Sequence, residues 1–324
     1  MMGKLKSALL TMSILATLGA CSNDTASNTT ELASQGLYTG AFSPDAQLAV
    51  VGSLNHGASL WRLQDNERLY NWTHAAGEFT ELVATGFSPD GTHAVTTDPR
   101  SLVLWNTASG KSAGFWATPG AVMDVAVLND NRRVLVGLED HSAVLFNAVT
   151  GAYEQTFLHE GPVSTVAVDS RNRFALTGSD DNSAVLWQLS DGSPVFKLMH
   201  DNPVRFVSLS ADGSRAFTIS QADQVAIWDT ATGQQIHQVH QGRTHAASSG
   251  AFSPDGRFLT IGYVNRKVAV FDVTSGAQLR TWSTPTRHPL RATGAAILEV
   301  VFDARSNSVL AMTGDGRLLQ FNLS

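Results

Sequence analysis

The stretch Thr177–Trp187, TGSDDNSAVLW, sets two adjacent aspartates, an asparagine and a serine ahead of a short apolar run that ends in tryptophan. Taken alone, this acidic knot fits a metal or catalytic site and equally well a tight turn, since Asp, Asn and Ser favour turns through hydrogen bonds to nearby backbone. The choice depends on whether the stretch occurs once or many times. An aromatic residue closes a similar run at Trp61, Trp105, Phe146, Trp187, Trp228, Phe271 and Phe321, at intervals of 44, 41, 41, 41, 43 and 50 residues. The surrounding text recurs as ASLWRL, LVLWNT, AVLFNA, AVLWQL, VAIWDT, VAVFDV and LLQFNL. Turns follow most copies, as TASG (107–110), AVTG (148–151), LSDG (189–192), TATG (230–233) and VTSG (273–276). A second kind of turn opens most copies, as FSPDA at 42, FSPDG at 87 and 252 and LSADG at 209, with LNDNR, DSRNR and DARSN in the third, fourth and seventh.

Between these turns lie runs such as DVAVL, RVLVGL, SAVLF and EQTFL, rich in Val, Leu and Phe and too short for helices. Each unit therefore predicts about four strands. One four-stranded sheet cannot bury both of its faces, whereas seven stacked around an axis cover one another and leave few exposed edges. With a period near 41 and a Trp-Asp pair at Trp228-Asp229 (Phe-Asp at Phe271-Asp272), the repeat resembles the WD40 β-propeller family. The resemblance implies an all-β, seven-bladed propeller over residues 30–324. The last unit stops at LLQFNLS, where its third strand belongs, and TELASQGLY precedes the first unit. By the same resemblance an N-terminal strand completes the last blade.

WD40 blades carry a structural chain of aspartate, histidine, serine or threonine, and tryptophan, with the aspartate six residues ahead of the tryptophan. On that pattern His159, Thr177, Asp181 and Trp187 form the set of blade four. The physical need is plain, because a buried indole N–H requires an acceptor and each further polar group must be satisfied in turn. Blade five keeps His200, Thr218 and Trp228 but has Ala222 in the aspartate slot, with Asp223 beside it. Blades three and seven keep Asp140 and Asp315 but close on Phe146 and Phe321, and Asn55 and Asn265 hold the slot in blades one and six. The acidic knot is thus read as a structural turn, and only Asp180 is left without a role.

The N-terminus reads separately. Lys4 and Lys6 precede the thirteen-residue apolar stretch ALLTMSILATLGA, too short for a membrane-spanning helix and of signal-peptide length. It ends in LGAC (Leu18 to Cys21), which resembles a bacterial lipoprotein signal and implies acylation of Cys21, the one cysteine of the chain. The expected division is a signal peptide at 1–20, a polar tether at 21–29 and the propeller at 30–324. Ser22, where an aspartate would resemble an inner-membrane retention signal, implies an outer-membrane destination on the periplasmic side. Hydrophobic content of 43% with 15% charge fits a packed core, and a net charge of -6 argues against nucleic acid as a partner.

Eight of the ten histidines (His56, His74, His141, His159, His200, His240, His245 and His288) fall in or beside loops on one rim. They come from different blades without local ligand spacing, so no metal and no cofactor are expected. Two inbound loops are long, HQGRTHAASSG (240–250) and TPTRHPLRATG (284–294). With Arg243, His245, Arg266, Arg287, His288 and Arg291, and the neighbouring Lys267 and Arg317, they form a positive sector, the candidate partner-binding rim. The chain carries no C-x-x-C-H, no G-x-S-x-G and no phosphate-cradling glycine loop. The expected function is a non-catalytic interaction module of the cell envelope, tethered through its lipid to the membrane and binding another envelope protein. Two alternatives stand beside it. One is a periplasmic propeller enzyme or cofactor carrier. The other is an envelope or outer-membrane assembly factor, similar in location to a propeller lipoprotein of the barrel assembly machinery whose repeat type and blade count differ.

Overall fold

A computed structural model describes residues 25–53, 56–74, 80–221, 224–240, 246–286, 295–305 and 307–323. Cys21 and the signal, Arg243, His245, Arg287, His288 and Arg291, and the slot residues Asn55, Ala222 and Asp223 lie outside these residues. Among the described residues there are twenty-eight strands and no helix, and the strands form seven four-stranded sheets. Every neighbouring pair whose register is recorded runs antiparallel, as in Val163↔Ser179 and Ala184↔Leu198 of blade four. The chain is a seven-bladed β-propeller.

Blade four shows why the sequence folds this way. Its strands are Val163–Val168, Phe174–Ser179, Ser183–Gln188 and Pro194–Met199, in sequence order from the axis outward. The two middle strands are almost wholly buried, because neighbouring blades cover both of their faces. Their text is therefore a continuous apolar run (SAVLW) and not an alternation. The outermost strand alternates in exposure and carries Lys197 toward solvent. Glycines close the turns between third and fourth strands where the backbone turns left-handed, with Gly192 at φ 74° and Gly233 at φ 68°.

Closure is made by Asn28–Glu31, which pairs antiparallel with Arg317–Asn322 in the register Asn28↔Gln320 to Glu31↔Arg317. This strand takes in Asn28 and Thr29, the last two residues of the stretch read as tether. Ser27 N–H adds a hydrogen bond to Gln320 O (2.7 Å), and Leu32 and Ala33 N–H both reach Gly316 O (2.8 and 3.0 Å). Leu32 and Leu37 then pack with Leu310, Met312 and Leu318 in one buried cluster. The ring is thus latched by its own two ends.

Consecutive strands are antiparallel, so their connections alternate between two rims. The upper rim carries the loops leading into each blade and the turns between second and third strands. The lower rim carries the remaining turns. The innermost strand bulges near its upper end in six blades, for example between Val163 and Thr165 and between Val204 and Phe206.

Candidate functional site: the upper rim and the central channel

The stretch Thr177–Trp187 supplies a hairpin of blade four. Trp187 Nε1–H donates to Thr177 Oγ1 (2.8 Å), and His159 Nε2 lies 2.7 Å from the same oxygen. His159 Nδ1 is 3.0 Å from Asp181 Oδ2. Asp181 also accepts from Ser183 Oγ (2.6 Å), Ser183 N (2.9 Å) and Glu160 N (3.1 Å). The turn is completed by Asn182, whose φ of 66° lies in the left-handed region that asparagine tolerates. Burial works to raise the Asp181 carboxyl, but these donors, Ser183 foremost, hold it down at about 2. Burial lowers the His159 imidazole, although Asp181 pulls it the other way. All four side chains are joined in one hydrogen-bonded chain, in which the imidazole bridges the inbound loop and the hairpin of one blade.

A second chain of this kind lies in blade two, where the sequence pattern had not placed one. Trp105 Nε1–H donates to Thr96 Oγ1 (2.8 Å), His74 Nε2 is 2.9 Å from Thr96 Oγ1, and His74 Nδ1 is 3.0 Å from Ser101 Oγ and 3.3 Å from Asp98 Oδ2. The spacing differs here: Asp98 lies two residues after Thr96 and seven before Trp105, against four and six in blade four, so the aspartate misses the six-residue spacing.

The remaining blades depart from this set in different ways. Blade five keeps Trp228 Nε1–H on Thr218 Oγ1 (2.9 Å), with His200 edge-on to Trp228. His200 Nε2 is buried and has no partner among the described residues, and burial holds this imidazole down at about 4. Blades three and seven have Val136 and Ala311 at the threonine position together with Phe146 and Phe321, so no indole N–H is left unpaired. In blade one Trp61 Nε1–H turns to Ser59 Oγ (2.9 Å).

Asp180 has a partner. It accepts from Ser164 Oγ (2.6 Å) and pairs with Arg205 Nη1 (2.7 Å), which joins blade four to blade five at the upper mouth of the channel. Two further acids, Asp124 and Glu299, lie on the innermost strands of blades three and seven, on opposite sides of the ring. Asp124 accepts from Val166 N–H of the next blade and from Val125 N–H (both 2.8 Å). Burial raises the Asp124 carboxyl to about 6 despite these bonds. Burial also raises Glu299, to about 8, against a hydrogen bond from Val300 N–H and with further help from the Asp124 charge. Nothing in the composition or spacing of the sequence marks these two residues. Their significance comes from the channel they share. At its lower end the channel widens into a cavity of about 400 Å³ lined by Phe87, Phe252, Phe302, Leu209 and the turn prolines Pro89 and Pro254.

Of the positive sector, Arg266 lies in the turn between second and third strands of blade six, at a φ of 69°. Its Nη1 is buried without a partner among the described residues. Arg317 does not belong to a free positive surface: it is 7% exposed, pairs with Asp315 (2.7 Å) and donates to Pro285 O (2.8 Å). The expectation of Arg317 as a rim cation is corrected on this point. The described histidines have been separated into different blades, and among the described residues no group of three or more His, Cys, Asp or Glu is placed to hold a metal ion. The upper rim also exposes large apolar side chains, Tyr38 and Met123 on innermost strands, Leu158 and Met199 at the ends of outermost strands, and Val264 in a turn.

No curated protein matches the chain. A family model described as outer membrane protein assembly factor BamB matches residues 152–324, slightly more than half of the 324 residues. The likeness to assembly factors, expected from location alone, thus extends to sequence over blades four to seven and the last strand of blade three. With this match laid on a closed seven-bladed ring, the chain belongs to the family of the outer membrane protein assembly factor BamB.

Proposed function

We propose that this protein is a non-catalytic scaffold of outer-membrane protein assembly, which binds another envelope protein through its upper rim. The observation that carries this reading is the family match over residues 152–324. The rim supports it chemically: Leu158 and Met199 are exposed at the upper ends of the outermost strands of blades three and four. Exposed apolar side chains of this size are the kind of anchor that a protein-binding surface uses. The lipobox resemblance supports an anchor on Cys21 that holds the propeller at the outer membrane, facing the periplasm. The His–Thr–Trp chains of blades two and four support the WD40 resemblance of the repeat and a structural reading of those histidines.

The test is a photo-crosslinking residue at Leu158 or Met199 in living cells, with the same probe on the lower rim at Val149 as control. A crosslink to one envelope protein from the upper rim alone, together with lowered outer-membrane protein levels on deletion, is the expected result. Equal crosslinking from both rims, or unchanged outer-membrane protein levels, would sink the reading. Cys21→Ser should move the protein from the membrane to the soluble fraction; retention would remove the anchor from the proposal.

A further inference from the structure

The seam where the ring closes lacks a filler that four other seams carry. At four seams a side chain on the outermost strand lies over the turn glycine of the next blade: Tyr70 over Gly110, Gln155 over Gly192, Phe196 over Gly233 and His237 over Gly276. Tyr70, Gln155 and His237 also hydrogen-bond to carbonyls in or beside those turns (2.8, 3.1 and 2.6 Å). Each of the four is paired across the sheet with an apolar third-strand residue, Leu60, Leu145, Leu186 or Ile227. In blade seven the same pair is Asn28 and Gln320. Blade one, on the other side of the seam, has Asn66 (φ 55°) in its turn in place of glycine. Small polar groups thus replace the bulky filler, and a cavity of about 400 Å³ is left between blades seven and one.

The lining of this cavity has a definite chemistry. Its wall carries five carboxamides, Asn28, Gln47, Gln64, Asn66 and Gln320. Its floor is aliphatic, from Ala46, Leu63, Leu310 and Leu318, and Leu310 and Leu318 are buried. Asp303 and Arg305 balance one another in charge. A carboxamide offers one acceptor and two donors, the complement of a peptide group. No aromatic ring is among the residues lining the cavity, so a sugar ring finds no stacking platform there. The volume lies within the range of small-ligand pockets.

We propose that this seam pocket binds a short, uncharged peptide segment, whose main-chain amides pair with the carboxamide wall while one aliphatic side chain rests on the Leu63–Leu310–Leu318 floor. The site is separate from the upper rim and goes beyond the scaffold reading, since it gives the propeller a second contact point beside its own latch.

The test uses N-acetyl-leucine-N-methylamide as the peptide probe and methyl β-glucoside as the sugar probe, titrated into isotope-labelled protein and followed by NMR. The peptide probe should shift the side-chain amide signals of Asn28, Gln64 and Gln320 saturably, with a Kd on the order of 1 mM for so small a ligand. Installing the pair that blade one carries, Asn28→Tyr with Gln320→Leu, should abolish the shifts and leave the melting temperature equal or higher. Gln64→Ala, which leaves both strands intact, should weaken binding about threefold or more, as loss of one hydrogen bond does. Shifts caused by the sugar alone, no saturable shift with the peptide probe, or undiminished binding in both variants would overturn the proposal.

Discussion

Blade four and blade seven occupy equivalent places in one ring and solve the same problem differently. Blade four is one continuous stretch of chain, tied to its inbound loop by His159, which reaches from the loop to Thr177 and Asp181 in the hairpin. Blade seven is assembled from both ends of the chain, and it has Ala311 and Phe321 where blade four has Thr177 and Trp187. It keeps Asp315, and the tie to the inbound loop runs the other way. Arg317 leaves the hairpin, pairs with Asp315 and donates to Pro285 O in the loop. The difference shows that a hairpin and its inbound loop can be tied by different residue sets. Blades three and seven lack both threonine and tryptophan, and blade one, with Val51 at the threonine position, keeps Trp61 by turning its N–H to Ser59, so the indole is not left without an acceptor.

The comparison can be broken most severely at the latch. Deleting residues 25–31 removes the fourth strand of blade seven, with main-chain bonds of roughly 1 kcal/mol each. The expected loss is about 5 kcal/mol, or about 10 °C in melting temperature, measured by calorimetry. The same deletion has no counterpart in blade four, and an unchanged transition would mean that the ring does not depend on its seam. Next in size, Asp181→Ala leaves His159 and the Ser183 and Glu160 donors without their acceptor, and should cost about 3 kcal/mol in urea unfolding. A loss under about 1 kcal/mol would show that the polar chain of blade four is ornamental.

Phe321→Trp sharpens the contrast. The new indole N–H faces Ala311 and not a threonine, so the variant should lose about 2 kcal/mol, and Ala311→Thr should restore much of it in a double-mutant cycle. Purely additive effects would refute the idea that the two positions change together.

The channel carboxyls give a pH signature. Glu299 stays protonated in the folded protein up to about pH 8, while the unfolded chain releases that proton near pH 4.5. The unfolded state therefore binds fewer protons across this window, and stability falls as pH rises through it. Glu299→Gln should remove that decline and stabilise the protein by about 2 kcal/mol at pH 9, with little effect at pH 4. Equal effects at both pH values would contradict the assignment. The smallest change is expected for Asp180→Ala. Its partner Arg205 has 44% of its side chain exposed, so the loss should be about 0.5 kcal/mol and should shrink in salt.

Much of this was legible in the sequence, because a repeat is a local property read seven times. The spacing of Trp61 to Phe321 fixes the number of blades, the continuous apolar runs mark the doubly covered middle strands, and Thr177, Asp181 and Trp187 lie within one hairpin, close along the chain. Blade two escaped because its aspartate, Asp98, stands seven residues before Trp105 and not six. What the tertiary structure alone decided are meetings between blades. Asp180 finds Arg205, Glu299 feels the charge of Asp124 across the channel, Arg317 turns inward to Pro285, and Asn28 faces Asn66 across a cavity. These residues are far apart in the chain and share no motif. Their encounters depend on how the ring closes, and a one-dimensional pattern carries the period of that ring but not the distances across it.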